Sequence, residues 1–227
     1  MPSSSLSAGL RDASEPAWSD LADHPFVVEL ASGTLAPERF RYYIEQNLLY
    51  LPQYARVMAL GAARARDQRA LELFSAALQQ VVAVELPENR RLRDRVVELG
   101  AADRGGASEP APPNLEYAAW LLSVAFSGGT AEILAAVLPC TWSYGEIGQR
   151  LAAAAAEHPV YRAWLEFFAG DAYAAVVARM RSDVDELAAR AEPAGLQSIF
   201  RTGVRFERRF WDMAYAMSAR PEEQSGA

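Results

Sequence analysis

The stretch TLAPERFRYYIEQNLLYLPQYARVMALGAARAR, Thr34 to Arg66, decides how the rest of the chain is read. Its apolar and aromatic residues return every three or four positions, which lines one face of an α-helix; a half-buried strand would alternate every second residue. Thr34 and Pro37 stand near its start, where a small polar residue and a proline favour helix initiation. Pro52 lacks the amide hydrogen for the bond to the preceding turn and is expected to kink or interrupt the helix.

The same patterning continues outward. A second long helix is expected over about 68–100, followed by GAADRGGASEPAPPN, Gly100 to Asn114, whose glycines, prolines and small residues mark a loop. Further helices are expected at about 114–127, 129–155, 159–168, 170–191 and 195–218. No segment sustains an apolar and polar alternation with turn signals, so the reading is all-α. Composition does not change across the loop, and amphipathic helices on both sides need partners; one domain over 1–227 is therefore expected. The N-terminal end and residues 219–227, with RPEEQSGA, are expected to be flexible. His24-Pro25 and His158-Pro159 each precede an apolar segment and are read as helix starts with capping histidines.

The 227 residues carry a net charge of −7 with a pI near 5.0, which argues against a general phosphate-binding surface and a nucleic-acid partner. The basic strip ENRRLRDR reads as a solvated helix face. Hydrophobic residues make up 51% but never gather into an unbroken apolar run of membrane-spanning length, and no leader pattern opens the chain. A cytoplasmic protein without membrane partners is expected. One cysteine forms no internal disulfide and no multi-cysteine zinc site, and two histidines limit transition-metal chemistry. ELPEN offers Glu85 for a carboxylate-bridged metal pair but has Asn89 where a histidine would be wanted. No metal or cofactor is expected.

Three helical faces could carry chemistry. Cys140 and Tyr144, at i and i+4 within LPCTWSYGEIG, share a face, and the thiol is read either as a nucleophile or as small core filler. Tyr43, Asn47, Tyr50 and Tyr54 share a second face whose polar tips need partners; it suits a flat heteroaromatic ligand or an interhelical tyrosine cluster. In FERRFWDMAY, Glu207 lies on a stripe with Phe210, Trp211 and Ala214. A carboxylate there is either functional, with a pKa raised by burial, or an edge residue paired with Arg201, Arg205 or Arg208.

With these residues in view, the chain resembles the TenA/thiaminase II family, of the haem-oxygenase-like all-α fold, from about Trp18 to Tyr215. The landmarks are HPFVVELASGTLAPERFRYYIEQNLLYL, GAARARD, AEILAAVLPCTWSYGEIG, HPVYRAWLEFFAGD and FERRFWDMAY, in that order. The resemblance implies a pyrimidine pocket with Cys140 as nucleophile, Glu207 as acid–base group on the ring and Tyr144 hydrogen-bonding near the thiol. Tyr43, Asn47, Tyr50, Tyr117, Phe168 and Phe210 would bind or enclose the ring. The implied reaction replaces ammonia, or the thiazolium of thiamine, by water on the methylene of an aminopyrimidine, giving hydroxymethylpyrimidine. A homo-oligomer, a tetramer by resemblance, is also implied.

Three positions depart from the family pattern. Asn47 stands where an aspartate is typical, Phe168 where a tyrosine is common, and Leu49 where an aromatic residue is frequent. The nucleophile is kept while recognition changes. Another amine-bearing heteroaromatic substrate, or a non-catalytic ligand-binding or regulatory role, are the alternatives that these departures leave open.

Overall fold

The computed structural model describes residues 5–100, 109–152, 158–187 and 193–217. Among them all regular structure is helical: α1 (Leu6–Asp12), α2 (Ser19–Ala22), α3 (Pro25–Ser32), α4 (Pro37–Arg64), α5 (Gln68–Gln80), α6 (Leu86–Glu98), α7 (Pro112–Ser127), α8 (Thr130–Leu151), α9 (Pro159–Ala169), α10 (Asp171–Leu187) and α11 (Pro193–Ala216). Most of the expected loop, the far ends of the helices placed at 129–155, 170–191 and 195–218, and the tail at 219–227 lie outside the described residues.

Helix α8 is the axis of the molecule, packed against α7, α9, α10 and α11. The run Ile133 to Leu138 is wholly buried on every side, which only a helix surrounded by others can tolerate. Helix α4 packs against α5, α6, α7 and α11. One core cluster joins these helices, with Trp164, Trp211, Tyr43 and Tyr117 among its largest buried members.

Helices α3, α4, α7, α9 and α11 begin with a proline, where the missing amide hydrogen costs nothing. His24 caps α3 as expected: its Nδ1 accepts from the Phe26 amide at 3.1 Å. That bond leaves the ring proton on Nε2, which lies 3.0 Å from Asp212 Oδ1. His158 does not cap α9. Its Nδ1 is buried without a partner, and the ring stacks on Tyr161 at 3.9 Å.

Two expectations are corrected. Pro52 does not interrupt α4, which stays helical from Pro37 to Arg64. A proline removes one ladder bond, and here Tyr50, Leu51, Tyr54 and Ala55 bury the helix firmly on both sides of the gap. The N-terminal end is not loose between Leu6 and Asp12. Leu10 is buried, α1 packs on α10 and α11, and the Ser7 amide donates to Asp185 Oδ1 at 2.6 Å.

The helix expected over 68–100 is one path but not one α-helix. Between α5 and α6 the residues Val81–Glu85 form a π-helical turn, with bonding one residue longer than in an α-helix. Beyond it, the basic strip is largely exposed along α6 as expected, while Asn89, Leu92 and Val96 turn inward.

Candidate active site

The site follows from how closely α8 and α11 approach each other. A Cβ built on Gly203 would lie 2.8 Å from Pro139 Cγ, so only glycine fits there. Glu207 follows one turn later on α11, as Cys140 follows Pro139 on α8, and both line the same cavity. A second close approach sets the adjoining wall. A Cβ on Gly148 would lie 2.6 Å from the Ala169 amide, and this contact seats α9 and with it Phe168.

The cavity lies where α4, α7, α8, α9, α10, α11 and the π-helical turn converge. Tyr50 of α4 packs against Tyr117 of α7 at 5.1 Å and against Phe210 of α11 at 5.7 Å. Across the ring of helices, Phe168 contacts Tyr144 and Tyr173, each at 4.9 Å in an edge-on arrangement. The Tyr54 hydroxyl and Thr141 Oγ1 bond each other at 3.1 Å. These surfaces suit a flat ring whose faces meet aromatic edges and planes.

Glu207 is buried and receives a hydrogen bond from the Tyr117 hydroxyl at 2.6 Å. The alternative of an edge glutamate paired to arginine is excluded. Arg201 donates to the Ala13 carbonyl, Arg205 to Thr202, and Arg208 faces Asp20 and Asp212. Burial pushes the Glu207 carboxyl up to about 7, against the smaller opposing effect of Tyr117 and Cys140 beside it.

Cys140 is partly accessible and lines the cavity, so it is not sealed filler. Burial pushes its thiol well above the usual range, and the Glu207 charge pushes the same way. Tyr50 opposes the rise from beside the thiol, and its hydroxyl is otherwise buried without a hydrogen-bond partner. Tyr144 lines the cavity too, but its hydroxyl takes a bond from Tyr43 at 3.3 Å.

Asn47, Tyr50, Tyr117, Cys140, Tyr144, Phe168, Glu207 and Phe210 all reach this one cavity. Tyr43 does not. It is wholly buried one layer behind, stacked on Trp211 at 5.3 Å with Phe26 on another side, and it touches the cavity wall through Tyr144 and Phe210. Neither histidine lines the cavity, so no cysteine–histidine pair forms.

Asn47 donates through Nδ2 to Asn89 Oδ1 at 2.9 Å, and Asn89 donates in turn to the Glu85 carbonyl at 2.8 Å. The pairing directs the Asn47 side chain and leaves its own oxygen unclaimed. Glu85, Thr141 and Tyr173 also line the cavity and were not singled out for this site from the sequence. The spacing of Glu85 to Asn89, one helical turn, is the available signal, but in the sequence it reads only as a metal motif lacking its histidine. Tyr173 brings a phenol next to the ring of Phe168, where the hydroxyl common to the family is missing.

A profile described as the TENA/THI-4/PQQC family matches residues 11–217. The chain is 37% identical to an aminopyrimidine aminohydrolase of Halalkalibacterium halodurans, over 93% of this chain and 96% of that protein. It superposes with a TM-score of 0.85 on a TenA homologue from P. horikoshii OT3, at 31% identity, covering 94% of this chain and all of that one. A domain with a heme oxygenase-like fold from Shewanella denitrificans superposes with a TM-score of 0.72, over 92% of each chain at 14% identity, a likeness of fold alone. The fold class expected from the sequence, all-α and haem-oxygenase-like, is the one observed.

Proposed function

The chain belongs to the TENA/THI-4/PQQC family, and on that premise we propose that it is a hydrolase releasing hydroxymethylpyrimidine from an aminomethylpyrimidine, from thiamine, or from both, in thiamine salvage. The observation that carries the reading is the convergence of Cys140, Glu207 and Tyr117 on one aromatic cavity, with the carboxyl poised near neutrality.

Each group has a task that its surroundings explain. Burial makes a resting thiolate costly, so the Cys140 proton leaves as the sulfur attacks the pyrimidine ring, and the adjacent Glu207 carboxylate accepts it. Glu207 then holds that proton on a ring nitrogen while electron density moves toward the exocyclic methylene and expels its substituent. Water adds to the methylene, the ring nitrogen returns its proton, and the sulfur departs as the thiol. A carboxyl near 7 both accepts and donates with little loss at neutral pH. Tyr117 keeps the carboxyl in place with its 2.6 Å bond, and Tyr50 offers its free hydroxyl toward the sulfur.

Asn47 presents a neutral acceptor to the ring's amino group in place of the aspartate of the family pattern. Tyr144, Phe168 and Phe210 enclose the ring. A catalytic thiol needs a reducing compartment, which favours the cytoplasm. Among the described residues no helix is long and apolar enough to cross a membrane. We place the protein in solution as a homotetramer, which light scattering of the purified chain would check. Among the described residues, exposed apolar side chains such as Val82, Leu115 and Phe126 are available for contacts between copies.

Mass spectrometry of purified protein with aminomethylpyrimidine, thiamine and base-degraded thiamine tests the activity. Hydroxymethylpyrimidine is expected from at least one of them, and Cys140→Ser should cut turnover by about 10³-fold or more while ligand still binds. Binding without turnover by the unaltered chain would instead identify a ligand-binding homologue.

A further inference from the structure

The cavity holds a second carboxylate that the chemistry above does not use. Glu85 ends the π-helical turn, at a position where an extra residue in the helix sets the direction of the side chain. It lines the cavity with Cys140 and Glu207, yet makes no hydrogen bond or ion pair through its carboxyl with any described residue. Burial alone pushes it up to about 7. The groups that sense its charge are Cys140, Tyr54 and Tyr173, which places it toward α4, α8 and α10. The Glu207 carboxyl instead bonds Tyr117 of α7.

Glu85 is half-buried, and a carboxylate drawn out of water without a partner is costly unless a ligand completes it. Among the described residues no arginine or histidine lines the cavity, and none of them supplies a counter-charge there. The partner must come with the ligand and must be cationic or rich in N–H donors. Asn47 leaves the ring end of the cavity uncharged, and Glu207 is committed beside the thiol. Glu85 therefore meets the part of the ligand that extends past the ring.

We propose that Glu85 is the subsite for the departing amine: its carboxylate receives the protonated amino group on the exocyclic methylene and selects leaving groups that carry N–H donors over the quaternary thiazolium. This rests on the aminopyrimidine reading given above. When the carbon–nitrogen bond breaks, its electron pair goes to nitrogen, which departs from the ammonium as ammonia. Water then bonds to the methylene carbon, its proton passes to the Glu85 carboxylate, and that proton leaves with the ammonia as ammonium. The net change is one water consumed and one ammonium released, and Glu85 ends as it began.

The test is calorimetric binding to the full chain carrying Cys140→Ser, which prevents turnover, with and without Glu85→Gln. The ligands are aminomethylpyrimidine and its analogue with a bare methyl in place of the aminomethyl group. Glu85→Gln should weaken aminomethylpyrimidine by about 10- to 100-fold, as expected for loss of a hydrogen bond to a charged group, and leave the methyl analogue within about threefold. Glu85→Asp, which retains the charge, should keep most of the discrimination between the two ligands. Equal weakening of both ligands, or no weakening of either, would overturn the assignment. Failure of both pyrimidines to bind while Glu85 is intact would overturn the aminopyrimidine reading itself, and the subsite with it.

Discussion

Glu207 and Asp183 are both buried carboxylates, and their surroundings are opposites. Asp183, on α10, takes two bonds from Arg69 at 2.9 and 2.7 Å and one from Arg179 at 2.7 Å. Its charge is met by two cations: the Arg69 pair ties α10 to α5, and the Arg179 pair lies within α10. Glu207 has neutral neighbours, a phenol and a thiol, and burial pushes it up to about 7. Pairing holds a charge in place, whereas withholding the cation leaves a proton free to move. A buried acid that serves the architecture and one that serves chemistry can thus be told apart by the charge of their partners.

Exchanging the two roles should break this contrast most visibly in turnover. Glu207→Gln keeps the shape but cannot take or give the proton, so kcat/KM for the pyrimidine substrate should fall by about 10²- to 10⁴-fold. Asp183→Asn, measured in the same assay below the melting range, should leave turnover within a few-fold. Comparable losses in both would dissolve the distinction.

Stability should show the reverse. Asp183→Asn removes charge-assisted bonds to Arg69 and Arg179 and should cost about 2–3 kcal/mol, or roughly 5–10 °C in thermal midpoint. Glu207→Gln should raise the midpoint of the ligand-free protein at alkaline pH. The folded chain holds the Glu207 proton more tightly than the unfolded chain, with a pKa near 7 against 4.5. Its contribution is therefore complete below about pH 4.5 and is lost as pH rises through 7. The neutral amide is spared that loss, so the variant should gain roughly 2–3 kcal/mol at pH 8 and nothing at pH 4.5. Melts at the two pH values decide it; an equal difference at both would mean that Glu207 does not titrate as described.

The smallest effect concerns Asn47. An aspartate there gives the ring a charged acceptor but turns a lone pair toward Asn89 Oδ1, which now receives the Asn47 amide. Asn89 must rotate and give up its bond to the Glu85 carbonyl, offsetting part of the benefit. Asn47→Asp should tighten aminopyrimidine binding by up to ~10-fold in calorimetry. An unchanged affinity would show that Asn47 does not touch the ring.

The helices were legible because burial against one core imposes a period of three to four residues, and α4 shows that period from Gln46 to Met58, although Phe40 to Gln46 is buried throughout. Depth was not legible. Tyr43 and Tyr54 share a helical face in the sequence, yet one lies a layer behind the cavity and the other on its wall, because α4 runs past the cavity. The π-helical turn left no trace, since VVAVE fits an α-helix as well. Of the kink or interruption expected at Pro52 the interruption does not occur, because packing on either side outweighs the single lost bond. Cys140 and Glu207 were readable as chemically odd residues on apolar faces, but only the approach of α11 to α8 joins them.

The π-helical turn amounts to one residue too many in an otherwise regular coil. Since each residue turns an α-helix by about 100°, α6 is rotated by that much against the phase that α5 would have given it. Leu73 and Phe74 face the core before the turn, and Asn89, Leu92 and Val96 face it after. Wound as plain α-helix, the same residues would swing Glu85 and Asn89 together away from their present wall, whereas removing one residue between Gln80 and Glu85 would erase the wide turn and keep both facing as they do. The polarity of that wall is thus a matter of register, set by the count of residues as much as by their identity.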